Sequence, residues 1–317
     1  MKLYGGIEAG GTKFICAIAT SPTTDPIATL KVDTTTPEET FGKVIDFFKR
    51  YDLRALGIAS FGPIELHRES PKYGYITTTP KPGWKNTDFA QFFQQTFDVP
   101  TGFDTDVNAA ALAEVSYGAA QGQSDAIYIT VGTGIGGGAV INGEMLHGLL
   151  HPEMGHLPVP RHPHDNYPGS CPFHHDCLEG MASGVAIEDR WKRSASTLPP
   201  DHEAWELESY YLARGICAMV YTLSPLRIIC GGGVMDQKQL FPLIRKQVIE
   251  MLHGYIQGKA IIDRIDEFIV PPGLKNPGAV GALELAHRAE ARGVAARVWV
   301  NHNGGVEGRK RKRTNDN

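Results

Sequence analysis

The chain has 317 residues, of which 42% are hydrophobic and 21% charged; this composition is typical of a globular protein and excludes a disordered or fibrous one. Its formal net charge is −4, but the stretch from Gly293 onward holds six of the 31 basic and two of the 35 acidic residues, which leaves −8 on the body. A body this acidic repels nucleic-acid phosphates, and no apolar run reaches membrane-spanning length, so neither nucleic acid nor membrane is an expected partner.

Residues 3–20 are typical of two strands joined by a glycine turn, Ala9-Gly10-Gly11-Thr12. Such a turn can direct backbone amides at phosphate oxygens, and Lys13 would add positive charge, although a single glycine turn is more often only an ordinary tight turn. Apolar spacing then predicts a helix over 38–51 and a buried strand over 55–60. Because no basic start leads into an apolar segment, we expect a cytoplasmic location.

The same pattern begins again in the middle of the chain. After a helix near 89–97, a strand ends at Asp106 and a helix follows over 107–117. A strand over 126–131, a second glycine turn over 132–138 and a returning strand over 139–141 come next. Two strand, turn, strand units predict a duplicated architecture.

Asp106 is the candidate catalytic carboxylate. It lies at a strand end just before a helix, where carboxylates of α/β folds face the cleft. Transfer of a phosphoryl group to an alcohol needs a base to accept the hydroxyl proton. The residues alone leave a second interpretation open, in which Asp104 or Asp106 only caps the helix.

The segment 149–179 is rich in histidine, proline and cysteine and shows no periodicity, so we expect an irregular loop region. Cys171, His174 or His175, and Cys177 have the spacing of zinc ligands, and His156 can supply a fourth. The alternative is a pair of ordinary buried cysteines beside surface histidines; a disulfide is not expected in a cytoplasmic chain. The remaining histidines of the region are expected at the surface: His147, His151, His162 and His164.

The last predicted elements are a helix over 204–223, a strand over 226–230 that opens into Gly231-Gly232-Gly233, and a closing helix over 276–292. Three glycine sites at strand ends suit a nucleotide held in a cleft between two lobes. Neither a P-loop nor a dinucleotide fingerprint is present. The nucleotide contacts are expected at Gly10, Gly11, Thr12, Lys13, Thr133, Gly134, Gly232 and Gly233.

Four motifs together resemble the ROK family of repressors, open reading frames and sugar kinases, and its fructokinase branch in particular. They are Gly6-Ile7-Glu8-Ala9-Gly10-Gly11-Thr12-Lys13, Thr105-Asp106-Val107-Asn108-Ala109-Ala110-Ala111, Gly132-Thr133-Gly134-Ile135-Gly136 and Glu153-Met154-Gly155-His156. The resemblance runs from about residue 4 to about residue 290.

The resemblance implies an α/β, two-lobed, actin-like and hexokinase-like (ribonuclease H-like) ATPase fold with a cleft between the lobes. Expected bounds are 1–115 for the small lobe, 116–274 for the large lobe with a zinc loop at 151–180, 275–292 for the closing helix and 293–317 for a disordered basic tail. It makes Asp106 the base and places Glu153, His156 and Glu179 on the sugar. It assigns zinc to His156, Cys171, His174 and Cys177, and it favours a homodimer.

The expected activity is therefore transfer of phosphate from ATP to a hexose, with fructose giving fructose 6-phosphate, and with Mg²⁺ offsetting the nucleotide charge. Mannose or glucose as the sugar is the first alternative. A sugar-responsive regulator is the second, but the first glycine turn begins by residue 5 and leaves no room for a DNA-binding unit before it. The third is a non-catalytic, zinc-stabilised binding protein, in which Asp106 and both turns would have no role.

For the basic tail, a nucleic-acid patch or localisation signal is the alternative to a disordered or added end.

Overall fold

The structure, a computed structural model, describes residues 2–303, with side chains described for 2–293. Its two large sheets have five strands each. The strands up to residue 105 are β1 (Leu3–Ala9), β2 (Lys13–Ala19), β3 (Ala28–Asp33), β4 (Leu53–Ser60), β5 (Tyr75–Ile76), β6 (Thr87–Asp88) and β7 (Thr101–Thr105). The later strands are β8 (Ala126–Val131), β9 (Ile135–Ile141), β10 (Glu144–Met145), β11 (Arg227–Gly231) and β12 (Ile269–Val270).

The two large sheets share one topology. The first has the order β3-β2-β1-β4-β7 and the second the order β10-β9-β8-β11-β12, while β5 and β6 form a small separate pair. In each large sheet an antiparallel hairpin is followed by two strands that run parallel to its first strand. This repetition agrees with the duplicated architecture that the two glycine turns predict. The lobe boundaries expected at 115 and 274 stay a prediction, and residue 115 lies within the helix Asp106–Tyr117.

The second glycine turn is shorter than the sequence predicts. Gly136, Gly137 and Gly138 belong to β9, which already begins at Ile135. They serve close packing instead of chain reversal: a side chain on Gly138 would overlap the backbone of Val107, and one on Gly137 would come within 2.7 Å of the Met154 side chain. The glycines therefore allow the helix after Asp106 to lie directly on the second sheet.

Ten α-helices complete the described part of the chain. They are α1 (Pro37–Phe48), α2 (Ala90–Phe97), α3 (Asp106–Tyr117), α4 (Leu178–Ala182), α5 (Gly184–Trp191), α6 (Ala204–Leu223), α7 (Leu240–Leu252), α8 (Lys259–Ile262), α9 (Ile265–Phe268) and α10 (Pro277–Asn303). The helices predicted over 107–117 and 204–223 are confirmed, and the helix predicted over 38–51 is present but ends three residues earlier, at Phe48. α10 passes residue 292, where its end is predicted, and the rest of the predicted basic tail, 304–317, lies outside the described residues. No described helix combines the length and hydropathy needed to cross a membrane.

Two large hydrophobic cores support the two sheets. The first surrounds β1, β2 and β4 and is rich in aromatic side chains, with Phe14, Trp84 and Phe89 fully buried. The second lies between β8, β11 and α6, where Trp205 and Tyr211 are buried. A smaller core made largely of alanines joins α3 and α10 to both sheets. Because alanine side chains are short, α3 packs closely between the two sheets, which places its first residue, Asp106, at their junction.

Candidate active site

Asp106 is the first residue of α3, directly after β7. The helix is capped by Thr105, whose hydroxyl accepts a hydrogen bond from the Asn108 amide at 3.1 Å. The Asp106 carboxylate accepts one from the Val107 amide at 2.9 Å. The capping role considered for Asp104 or Asp106 therefore belongs to Thr105, and the Asp106 carboxylate stands at a helix N-terminus.

The surroundings of Asp106 raise its pKa from 3.8 to about 7. Burial is the main cause because it removes water from the charged form, and the negative charge of Glu8 is the second. The charge of Glu153 raises the pKa further, whereas the bond from the Val107 amide lowers it. A carboxylate with a pKa near neutrality is well matched to accepting a proton from an alcohol at the moment of transfer.

Asp104 is buried and supports its neighbours. One carboxylate oxygen accepts hydrogen bonds from the Thr105 amide at 2.8 Å and the Asn108 side-chain amide at 2.9 Å. The other lies 2.8 Å from Nε2 of His147, and this bond raises the pKa of His147. Asn108 in turn accepts a bond from the Ala139 amide in β9 at 3.1 Å. Asp104 and Asn108 thus hold the start of α3 against the second sheet.

The first glycine turn closes on itself and is anchored from the side. The Gly10 amide donates to the Lys13 carbonyl at 2.9 Å, and Thr34 donates to the carbonyls of Gly10 and Thr12. Gly11, Thr12 and Lys13 are exposed, so this turn offers its amides and the lysine charge to a ligand. Burial raises the pKa of Glu8, and the charge of Lys13 opposes this rise.

The other predicted nucleotide residues lie at strand ends of the second sheet. In the turn between β8 and β9, the Gly132 amide donates to the Gly134 carbonyl at 2.9 Å, and Thr133 lies between them. Gly232 follows β11 with a φ of +91°, a conformation that favours glycine, and Gly233 begins a short 3-10 turn. Because β11 runs parallel to β8, these two turns lie side by side. The predicted residues are therefore divided between the two sheets, one group on each.

Two further carboxylates lie near Asp106. The Glu179 side chain accepts a hydrogen bond from the Ile135 amide at 2.9 Å, beside Gly134. Burial and then the charge of Glu179 raise the pKa of Glu153 to about 7. Since Glu153 also raises the pKa of Asp106, the charges of Glu153 and Glu179 act within one small region. Carboxylates in this arrangement can accept hydrogen bonds from sugar hydroxyls.

The four predicted zinc ligands come together. One ligand atom from each of His156, Cys171, His174 and Cys177 lies within 4.8 Å of the others. The sulfur of Cys171 is 3.8 Å from Nδ1 of His156 and 3.7 Å from Nδ1 of His174, and the sulfur of Cys177 is 3.6 Å from Nδ1 of His156. Tetrahedral zinc with ordinary bond lengths separates nitrogen and sulfur ligands by about 3.6 Å. The donor set therefore fits a structural zinc ion with four protein ligands.

The structure also distinguishes His174 from His175, which the sequence chemistry leaves open. His175 has a φ of +56°, and its backbone exchanges hydrogen bonds with Cys171 to close the turn. The ring of His174 lies beside that of His156, with 4.8 Å between the ring centroids. His174 is thus the histidine that joins the ligand cluster.

One histidine expected at the surface is buried instead. His151 is only 7% exposed, with Nε2 at 3.1 Å from the Ile64 amide, whereas His147 is exposed as expected, although its Nε2 also pairs with Asp104. Sequence reasoning missed the burial of His151 because its partner, Ile64, is distant in the chain. The only available signal was the run of histidines leading to Glu153 and His156.

Comparison with known proteins adds to this geometry. The sequence model of the ROK family matches residues 4–289. A fructokinase of Zymomonas mobilis subsp. mobilis is 46% identical over 300 residues, which cover 91% of this chain and 98% of that one. A fructokinase of Pediococcus pentosaceus is 41% identical over 290 residues, which cover 90% and 98%.

Among solved structures, the ROK hexokinase from Thermus thermophilus superposes with a TM-score of 0.72. The match covers 92% of this chain and 99% of the hexokinase at 23% identity. At that identity the likeness shows the fold alone, which is the two-lobed sugar-kinase fold that the motifs imply.

Proposed function

The chain belongs to the ROK family, and from this premise we propose that it is a fructokinase, which transfers the γ-phosphate of ATP to D-fructose and releases D-fructose 6-phosphate and ADP. The two fructokinases compared above are more than 40% identical to it and are matched over nearly their whole length. The observation that carries the chemistry is Asp106, a carboxylate with a pKa raised to about 7 at the junction of the two sheets.

In the proposed reaction Asp106 accepts the proton of the sugar hydroxyl as the oxygen attacks the γ-phosphorus. The hydroxyl oxygen forms the new bond to phosphorus, the bond to the bridging oxygen breaks, and ADP leaves with that oxygen. Backbone amides of the two glycine turns, together with Lys13, would hold the phosphates. Mg²⁺ bound with the nucleotide offsets the charge on the phosphate oxygens.

Glu153 and Glu179 would orient the sugar by accepting hydrogen bonds from its hydroxyls, with His156 close to the same face. Both carboxylates belong to segments that also carry metal ligands: Glu153 precedes His156 by three residues, and Glu179 follows Cys177 by two. Zinc held by the four-residue cluster would brace this irregular loop. The metal therefore supports the sugar side of the site in this proposal and takes no part in the transfer itself.

We further propose a cytoplasmic homodimer. Among the described residues all five cysteines are free and buried, as suits a reducing compartment. The homodimer stays a prediction from family resemblance, and sedimentation equilibrium would test it.

An ADP-release assay across fructose, mannose, glucose and N-acetylated hexosamines tests the function directly. We expect the highest kcat/KM with fructose, and phosphate on the 6-hydroxyl of the product by phosphorus NMR. A higher kcat/KM with mannose or glucose would replace fructose as the substrate. If correctly folded protein with Mg²⁺ and ATP releases no sugar-dependent ADP with any hexose, the kinase proposal fails and the non-catalytic regulator becomes the better hypothesis.

A further inference from the structure

His151 is a buried histidine between two parts of the sugar side of the site. Its side chain is 3% exposed, and its Nε2 accepts a hydrogen bond from the Ile64 amide at 3.1 Å. Because Nε2 is the acceptor, the neutral ring carries its proton on Nδ1. Burial lowers the pKa of His151, which favours this neutral form.

The proton on Nδ1 has the Pro152 carbonyl oxygen as its hydrogen-bond partner at 3.4 Å, and a carboxylate oxygen of Glu153 lies beside it, 3.5 Å from Nδ1. Both distances are at the long end of hydrogen bonding, so a small shift of the Glu153 side chain would complete the contact. The imidazole need not be protonated for this contact, since a neutral N–H donor beside an ionised carboxylate is already favourable.

The other partner of His151, Ile64, belongs to a loop that borders Asp106. β4 pairs in parallel with β7, and Ser60 at the end of β4 is opposite Thr105. The loop that follows β4 therefore leaves the first sheet beside Asp106. Gly62 in this loop provides room for the imidazole, because a Cβ there would lie 3.1 Å from the His151 ring.

We propose that His151 is a positioning residue for the sugar: it sets the distance between the loop that borders Asp106 and the Glu153 carboxylate. Through Glu153 it aligns the reacting hydroxyl with the base, without touching the reacting atoms. This inference rests on the proposed function, since it concerns the sugar end of the site. It requires that replacement of His151 raise KM for fructose and leave KM for ATP unchanged.

Three substitutions separate the two hydrogen bonds of the ring. His151→Leu removes both. His151→Gln keeps an acceptor within reach of the Ile64 amide, and His151→Asn keeps a donor near the Nδ1 position. His164→Leu is the matched control, because His164 is an exposed histidine of the same irregular region.

Steady-state kinetics with fructose and ATP varied separately, together with thermal unfolding, provide the readouts. We expect His151→Leu to raise KM for fructose at least about ten-fold, the usual effect of losing one or two hydrogen bonds, with KM for ATP within about two-fold of wild type. The Gln and Asn variants should fall between Leu and wild type, and the control should match wild type.

The inference is overturned if His151→Leu leaves KM for fructose unchanged, or if KM for ATP rises by the same factor. It is equally overturned if only kcat falls, in proportion to the fraction of unfolded protein. Should the Leu variant not fold, the Gln and Asn variants decide by the same criteria. Wild-type protein without any sugar-dependent ADP release would instead remove the proposed function, so the two failures are distinguishable.

Discussion

Replacement of Asp106 by asparagine tests the proposed base most directly. In the wild type the carboxyl has a pKa of about 7, so about half of it is ionised at pH 7, about one tenth at pH 6 and about nine tenths at pH 8. If only the ionised form accepts the proton, kcat/KM for fructose should fall about ten-fold from pH 8 to pH 6. An unperturbed aspartate would give almost no change over this range.

Asp106→Asn should lower kcat by at least about three orders of magnitude, because the amide cannot accept the proton. The residual activity of this variant should also lack the acid limb of the pH profile, which is the fall in kcat/KM from pH 8 to pH 6 that depends on Asp106. The amide oxygen can still accept the hydrogen bond from Val107, so the start of α3 is expected to keep its geometry.

The same substitution should stabilise the folded protein above pH 7. A carboxyl whose folded pKa exceeds its unfolded pKa binds more protons in the folded state, so its ionisation lowers stability as pH rises from about 4 to 7. The three-unit rise sets an upper limit of about 4 kcal/mol. Because the site is partly open to solvent, we expect about 1 to 2 kcal/mol, or a rise in Tm of about 2 to 5 °C at pH 8, and no rise at pH 4.

Two measurements check this prediction on one preparation: the pH profile of kcat/KM in a coupled ADP assay, and thermal unfolding at pH 4 and pH 8. Activity of Asp106→Asn within ten-fold of wild type would refute the assignment of the base. A wild-type acid limb with a midpoint below about pH 5 would refute the raised pKa. A fall in Tm at pH 8 would mean that the lost activity reflects damage to the fold.

Two more predictions concern the surroundings of this carboxylate and the metal cluster. Glu8→Gln removes the negative charge that is the second cause of the raised pKa of Asp106, so the acid limb of kcat/KM should move to lower pH; an unchanged midpoint would contradict the coupling. Metal analysis should find about one zinc per chain. The zinc should be retained in His175→Ala and lost or bound more weakly in His174→Ala. Loss of zinc from both variants, or from neither, would argue against His174 as the ligand.

The glycine hairpin, the strand before Asp106 and the helix over 204–223 could all be predicted from the sequence, because each depends on neighbours within about one element. Apolar spacing and turn residues are local signals, and α6 has the predicted bounds. β3 has no counterpart among the predicted strands, because it is an edge strand in which only Val32 is buried. The zinc ligands were predictable for the same reason as the hairpin, since three of them lie within seven residues.

What the chain itself determined is thus the type and order of its main elements and the chemistry available at its motifs. The tertiary structure decided which groups meet and which lose water. Only the pairing of β9 with β8 places Gly138 in a strand, opposite Tyr128, and only tertiary packing brings the Ile64 amide to the imidazole of His151, 87 residues away. Burial and partners from distant segments shift pKa values and direct side chains, and neither is encoded in the residues adjacent in the sequence.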